Sequence, residues 1–331
     1  MKLRQHGSSE TTLEVRVPQG SVLGPLLFAV YCSPVADVIA SHGVRCHQYA
    51  DDTQLHLAMR VDSTDAALSI FAACTTDVKQ WYMQNGLQVQ LNPDKSEALV
   101  MGTATQLRVV SSLTSVSVAD GDLPVVDSMR VLGVTLDRHL TFDNHASAIA
   151  QSCNYLARAI RHTRYLLMLD LAQTLACSLI LSRIDYCNSM LHGAPSSTIQ
   201  KLQGFQYKAA RIVLQPHRRP HVNSLLQTLH WLPVEQRINY KLAVLTFKTQ
   251  QTSSPQYLSQ HISLHTSARN TRSSSVPLLC VLFRRTSFAR RSFSTAAPQT
   301  WNSLPPAVLN CDFLSSFKSR LNSHMFSTAI C

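Results

Sequence analysis

The sequence predicts an α+β fold: an antiparallel sheet with helices on one face over the first 140 residues, then a mostly helical remainder. Three observations lead there. Two short strand-like runs flank an acidic pair at Asp51-Asp52, and in the second the apolar residues alternate at 55, 57 and 59, the period of a half-buried strand. Between Ser63 and Asn85, apolar residues recur at 67, 68, 70, 71, 74, 78, 81 and 82, close to helical spacing. After residue 140 the strand pattern gives way to helix-like stretches over 144–168, 170–190 and 196–215. Helices interleaved with strands in this way bury one face of a sheet.

Taken in order, Met1 to Thr12 are polar, without the pattern of a signal peptide, and read as an arbitrary start inside a larger element. Val17-Pro18-Gln19-Gly20-Ser21-Val22-Leu23-Gly24-Pro25 is a loop that opens an apolar, helix-like segment running to about Ala40. Residues 44–59 form the acidic hairpin, and Asn85-Gly86 closes the helix that follows. Strand-like runs come next at 87–91, 97–101, 107–118, 123–126 and 130–136.

In the helical remainder, segment 144–168 carries Arg158, Arg161 and Arg164 on one polar side. Cations three apart suit packing along a phosphate backbone, and they equally suit a plain surface helix. Helix 196–215 carries Lys201, Lys208 and Arg211, and Pro216-His217-Arg218-Arg219-Pro220 makes a basic turn. Leu225 to Thr249 is mostly helical with a break at Pro233, and Trp231 and Tyr240 fill the core. Gln250 to Ser275 is rich in Ser, Thr, Gln and His and reads as a linker. Beyond it, Arg284-Arg285 and Arg290-Arg291 flank Phe283, Phe288 and Phe293, with the arginines suited to phosphate and the rings to packing. The chain thus divides into residues 1–140, 141–250 and 251–331.

Charge sharpens that division. The chain has 331 residues, 45% hydrophobic, and a net charge of +11. Residues 1–140 hold 10 Lys/Arg against 14 Asp/Glu, whereas residues 141–331 hold 20 against 5. A nucleic acid would be gripped mainly by the distal half, through phosphate contacts that read no sequence. A basic solvated surface is the plainer alternative for any single arginine. Nine scattered cysteines contain no Cys-x-x-Cys pair, which supports neither a zinc knuckle nor a disulfide framework. The run Leu166 to Ser182 is interrupted by Asp170 and Gln173 and reads as a buried helix. No other stretch reads as long and charge-free enough to span a bilayer, so no membrane partner is expected. The fourteen histidines are dispersed, and Pro216 and Pro220 argue against a helical face shared by His217 and His221.

Asp51-Asp52 carries the chemistry. A tight turn lets consecutive side chains project together, which a straight strand forbids. Two carboxylates so placed repel unless a cation lies between them, and hard oxygen ligands suit Mg²⁺. Thirty-one positions earlier, Gly20 permits close backbone approach to a ligand, and Gln19 offers both a donor and an acceptor.

Together these runs resemble the reverse transcriptase domain of non-LTR retrotransposons, above all the Jockey-like and chicken-repeat-like clades. Leu87-Gln88-Val89-Gln90-Leu91-Asn92-Pro93-Asp94-Lys95 is similar to that family's next motif, and Arg130-Val131-Leu132-Gly133-Val134-Thr135-Leu136-Asp137 to the strand after it. Ile184-Asp185-Tyr186-Cys187-Asn188 and Ala297-Pro298-Gln299-Thr300-Trp301-Asn302 share the family's texture, so the resemblance runs from about Val15 to about Phe317. It implies that residues 1–140 are the C-terminal part of a polymerase palm and that residues 141–250 are thumb-like. It implies that Tyr49-Ala50-Asp51-Asp52 supplies two of three metal-binding aspartates, with Mg²⁺ or Mn²⁺ as cofactor. Pro18, Gln19, Gly20 and Tyr49 then lie by the incoming nucleotide and template, and Lys95 approaches the nucleotide phosphates. Arg158, Arg161 and Arg164 would follow the nucleic-acid backbone. The implied partners are an RNA template, a DNA primer and deoxynucleoside triphosphates.

One departure bears on activity. The family's first catalytic aspartate lies on a strand ahead of the Pro-Gln-Gly loop, and here only Glu10 and Glu14 precede that loop, neither in an apolar strand context. Weak metal binding and an inactive chain are therefore expected, and a nucleic-acid-binding protein without chemistry is the alternative.

Overall fold

The computed structural model describes residues 2–3, 6–7, 20–87, 95–119, 121–216, 221–265 and 278–330. It is α+β and mostly helical. Contacts divide the chain into two compact units, residues 1–98 with 105–126, and residues 99–104 with 127–331.

In the first unit, the apolar segment after Gly20 forms two helices, Gly24–Cys32 and Val35–Ser41. Pro25 occupies the first turn of the former, where its missing N–H costs nothing, and Ser21 Oγ accepts from Gly24 N at 3.1 Å. The long helix Thr64–Gln84 packs on this pair and on the hairpin Arg45–Tyr49/Asp52–His56. Cys32, Val35, Ile39, Val44, Cys74, Val78 and Tyr82 make the core, and Tyr31 Oη ties to Asn85 O at 2.6 Å. A second hairpin, Ser115–Val118/Gly121–Pro124, packs against the long helix and is pinned by Ala119 N donating to Thr75 Oγ1 at 3.0 Å.

Three sequence expectations change here. Among the described residues the single sheet is replaced by four two-stranded antiparallel hairpins, to which Ala98 adds one parallel bridge with Val125. Every ladder joins runs adjacent in sequence, so short-range turns rather than long-range pairing set the strand order. Residues 107–118 are not one strand: Ala104–Val109 is helical and only Ser115–Val118 is extended. The segment Gly24–Ser41 does reach, at 18 residues and mean hydropathy 1.4, the length and apolarity that could cross a bilayer. It is broken at Ser33-Pro34, it contains Asp37, and Cys32, Val35 and Ile39 are its buried residues, in one core with Cys74 and Val78. The expected strand at 87–91 falls almost wholly outside the described residues.

The second unit begins with the hairpin Ser128–Val131/Val134–Asp137, so these strands belong with the helices and not with the acidic hairpin. Its turn places Leu132 at φ 45° and Gly133 at φ 84°, the two left-handed positions a two-residue hairpin loop requires. Asp137 then organises the exit. Its carboxylate accepts from the N–H groups of His139, Thr141 and Phe142 at 2.7–3.1 Å and launches helix Asp143–Thr163. That helix buries Ala146, Ala150, Cys153, Ala157 and Ile160, a three-four repeat, against helix Ser196–Leu214. Leu169–Ala176 continues through a π turn, Cys177–Leu181, into Ser182–Asp185. The reading of 166–182 as a buried helix is half right: Ala172, Ala176, Ile180 and Leu181 are buried, but Leu166, Met168, Leu169 and Leu171 are exposed.

Val222–Leu229 and Val234–Thr252 follow, with Pro233 between them as the break. A second core joins Val234–Thr252 to Phe293–Asn302, Pro306–Leu309 and Leu314–Ile330. Phe247 stacks on Phe317 with centroids 4.4 Å apart, and Trp301 lies 5.8 Å from Phe317. Each such ring burial contributes ~1.5–3 kcal/mol. Residues 251–330 therefore pack into the same unit as the helices before them.

Candidate functional site

The acidic pair sits at the end of a five-residue ladder in which Tyr49 faces Asp52, leaving Ala50 and Asp51 as the two-residue loop. Cys46 and Leu55 face each other and pack toward the helices, as does Gln48, which reaches Tyr82 Oη at 3.3 Å. Strand alternation therefore turns Tyr49 and Asp52 to the opposite face, away from the core. Asp51, Asp52 and Tyr49 are all exposed. Ala50 holds φ 55°, a left-handed conformation that costs a non-glycine residue about 1–2 kcal/mol. The turn thus presents two adjacent carboxylates at an open tip, as the sequence pattern predicts.

The other residues of the predicted site are less assembled. Gly20 is exposed with φ 87°, and a Cβ built there would meet nothing within 4 Å. Pro18 and Gln19 lie outside the described residues. Lys95 is described and exposed, and no hydrogen bond or ion pair joins it to Asp51 or Asp52.

The three arginines of the basic helix part company. Arg158 and Arg161 are exposed, whereas Arg164 is only 9% exposed and sits in the 3₁₀ turn Arg164–Leu166 beyond the helix end. Its Nε and Nη2 donate to Val213 O at 2.9 and 2.8 Å, and Nη1 donates to Leu167 O at 2.7 Å. Arg164 is therefore buried on helix-end carbonyls and does not share an exposed face with Arg158, which corrects the sequence reading of one polar side. The reason is angular: at ~100° per residue, each step of three drifts by about 60°, so the third arginine lies a third of a turn from the first. The outer face proper is carried by Tyr155, Arg158 and His162, all exposed. Of the next helix's cations, Lys201 pairs with Asp143 and Lys208 bonds to Asn154. Arg211 instead lines a half-open cavity of about 150 Å³ with Arg161, Arg164, Ile212 and Gln215.

Residues 2–136 match the reverse transcriptase (RNA-dependent DNA polymerase) family. This part of the chain is similar to a reverse transcriptase domain. It is similar to the RNA-directed DNA polymerase from mobile element jockey of Drosophila melanogaster, at 32% identity over 151 residues, 44% of this chain and 15% of that protein. It is similar also to two further proteins of the same organism. The probable RNA-directed DNA polymerase from transposon BS is 28% identical over 49% of this chain and 18% of its own length. That from transposon X-element is 26% identical over 215 residues, 62% of this chain and 22% of its own. An alignment of that length must run past residue 136 into the helical unit. The matched part of the chain spans only 15–22% of these relatives' lengths. The relatives place the domain with non-LTR retrotransposon reverse transcriptases. No solved structure matches the chain.

Reverse transcriptases use divalent metal ions. Asp51 and Asp52 offer the hard oxygens such an ion takes, but among the described residues no group of three or more His, Cys, Asp or Glu could hold one. The two carboxylates fit a metal in kind and fall short in number. Sequence reading also missed the meeting of Arg161 with Arg211. The signal was present in two cations toward the ends of two predicted helices, but the parallel pairing of those helices was not.

Two motifs of family texture prove architectural. Asp185 takes two bonds from Arg237 and one from Asn188 Nδ2, and Tyr186 Oη donates to Leu132 O at 2.6 Å, closing the helices onto the hairpin turn. Asn302 accepts from Leu279 N at 2.9 Å and donates to Leu279 O at 2.8 Å, so it holds an extended residue as a strand partner would.

Proposed function

We propose that this chain is the acidic-hairpin portion of a retrotransposon reverse transcriptase joined to a helical region that grips nucleic acid. In this reading residues 1–140 derive from the palm, residues 141–250 act as a thumb, and residues 251–331 add a basic C-terminal region. Asp51 and Asp52 hold a divalent ion, Mg²⁺ or Mn²⁺, which when bound supplies charge stabilisation for phosphoryl transfer. Lys95 meets nucleotide phosphates, while Pro18, Gln19, Gly20 and Tyr49 border nucleotide and template. The ancestral reaction is the addition of deoxynucleotides to a DNA primer on an RNA template. The observation that carries the reading is the exposed Asp51-Asp52 tip within a stretch matching the family.

The chain of 331 residues does not extend a primer alone, because the described carboxylates near the tip number two and a bridged pair of ions needs a further one. That shortfall, with the excess cations of the distal half, also favours the second reading: binding of nucleic acid without chemistry. Primer extension and Mn²⁺ titration decide between the readings. The expected result is no extension by the purified chain, and Mn²⁺ binding no tighter than submillimolar that weakens further in Asp51→Ala. Robust extension, or submicromolar Mn²⁺ affinity lost in that variant, would overturn the incomplete-site argument.

A further inference from the structure

The half-open cavity at the carboxyl ends of helices Asp143–Thr163 and Ser196–Leu214 has no role in the readings above. The two helices run parallel there: Lys201 meets Asp143 near their starts, Lys208 meets Asn154 midway, and Arg164 meets Val213 at their ends. Arg161, Arg164 and Arg211 all line the cavity, with Gln215 beside them and no carboxylate among the lining residues. Two helix carboxyl ends contribute about −0.5 each. Set against three guanidinium groups, they leave the cavity with a net charge of about +2.

Capping alone does not account for this. Arg164 by itself bonds Val213 O, in the last turn of one helix, and Leu167 O, just beyond the other. Those bonds use three of its five N–H donors, so two remain. Arg161 and Arg211 are exposed and have no hydrogen-bond or ion-pair partner among the described residues. Three like charges around a volume of about 150 Å³, the share of roughly five waters, are unfavourable until an anion enters. Guanidinium forks match the oxygens of a tetrahedral oxyanion in pairs, and a phosphate has the charge and donor demand that this lining leaves unmet.

We propose that this cavity is a phosphate-binding site, with Arg161 and Arg211 as its binding residues and Arg164 as the fixed floor that positions them. A phosphodiester of a bound nucleic acid or a free phosphate supplies the same chemistry. Only the first rests on the nucleic-acid reading given above.

The test uses the full chain and two double variants, Arg161→Gln/Arg211→Gln and Arg161→Lys/Arg211→Lys, leaving Arg164 intact. Both positions are exposed, so the lysine pair should melt in chloride as the parent does and the glutamine pair, relieved of like-charge repulsion, no lower. Two measurements are made: the rise in melting temperature with inorganic phosphate over chloride at equal ionic strength, and the salt dependence of binding to a labelled single-stranded oligonucleotide. A nucleic-acid phosphate site predicts that the glutamine pair lowers the slope of log affinity on log salt by about 0.7, one phosphate's worth on a single strand. It also predicts loss of the phosphate-specific stabilisation, with the lysine pair keeping the slope but losing part of the stabilisation. Loss of the phosphate effect with an unchanged slope assigns the site to free phosphate and still supports it. If the parent binds no oligonucleotide, the nucleic-acid reading fails and the phosphate effect alone judges the cavity. A phosphate effect that is absent in the parent or unmoved by the glutamine pair, together with an unmoved oligonucleotide slope, overturns the proposal.

Discussion

Replacing Arg164 separates architecture from binding within one helix. Arg164→Met keeps most of the aliphatic stem and deletes three N–H···O=C bonds, leaving the carbonyls of Val213 and Leu167 without their partner. A buried acceptor stripped of its hydrogen bond costs about 1–3 kcal/mol, and here two are stripped inside a well-packed helix end. The expected loss is therefore about 3–4 kcal/mol. For a unit of about two hundred residues, each kcal/mol moves the melting temperature by about 2–4 °C, which gives a fall on the order of 10 °C. Arg158→Met, on the exposed face of the same helix, should stay within about 0.5 kcal/mol of the parent.

Urea denaturation followed by far-ultraviolet circular dichroism measures both variants, and oligonucleotide binding at a temperature where each is folded measures the other half. Arg164→Met, once folded, should lose only part of its binding, as fits a residue that positions Arg161 and Arg211, and Arg158→Met should bind more weakly at low salt. The reasoning fails if Arg164→Met loses less than about 1 kcal/mol while its affinity for nucleic acid drops, since that pattern belongs to a solvent-facing phosphate contact.

Other outcomes follow from single features. Ala50→Gly removes a left-handed alanine costing about 1–2 kcal/mol and adds about 0.4–1 kcal/mol of unfolded-chain entropy, so the acidic hairpin should gain up to about 1 kcal/mol in hydrogen-exchange protection; a destabilised hairpin would mean that the turn is not the one described. His145 is buried and accepts from Thr135 N through Nδ1, and burial, then the charge of Arg130, lowers its pKa below the ordinary 6.5. The unfolded chain then takes up the proton more readily, so stability from neutral His145 is full above about pH 6.5 and falls as pH drops through that value. Comparing urea midpoints of parent and His145→Gln between about pH 7 and 5.5 should show a flatter dependence in the variant, and parallel curves would count against the assignment. Asn302→Ala should cost about 1–3 kcal/mol, because both backbone groups of Leu279 lose their partner, with the loss read by quenching of the buried Trp301 fluorescence on unfolding.

What the sequence reveals of this fold is its local part. Alternation at 55, 57 and 59 and the two-residue Ala50-Asp51 loop are contiguous signals, and the hairpin forms where they place it. The helix Thr64–Gln84 likewise follows from spacing and from Asn85-Gly86 at its end. The run 107–118 misleads because Val109 at the end of a short helix and Val110, Val116 and Val118 after it raise strand propensity across a helix that context stabilises. Whether short strand pairs merge into one sheet depends on edges distant in sequence meeting, and no local pattern encodes that. Arg164 misleads for the same reason: three-residue spacing records which residues are near each other on a helix, but not where the helix stops or which carbonyls a neighbouring helix brings to its end.

The same distinction corrects the meaning of the distal charge excess. Residues 141–331 hold 20 Lys/Arg against 5 Asp/Glu, and taken as a sum this reads as a broad grip on phosphate. The structure shows how some of it is used. Lys201 and Arg237 are paired with two of the five carboxylates, and Lys208 is bonded to Asn154. Arg164, Arg290, Arg291 and Arg320 donate to backbone carbonyls, of Val213, Arg284, Leu140 and Ala307 among others. Carbonyls exposed at helix ends and tight loops need donors, and with few acids nearby a guanidinium can serve them without being drawn into a salt bridge. Such residues keep their long-range attraction for a polyanion but bring only their remaining donors to a direct contact. Seven of the twenty are engaged in this way, which leaves at most thirteen with every donor available to phosphate. A salt slope for the full chain near −4 to −5, about six contacts at −0.7 to −0.9 each, fits within that ceiling. A slope corresponding to all twenty would require the helix ends to come apart on binding, and hydrogen exchange at Val213 and Leu167 would report it.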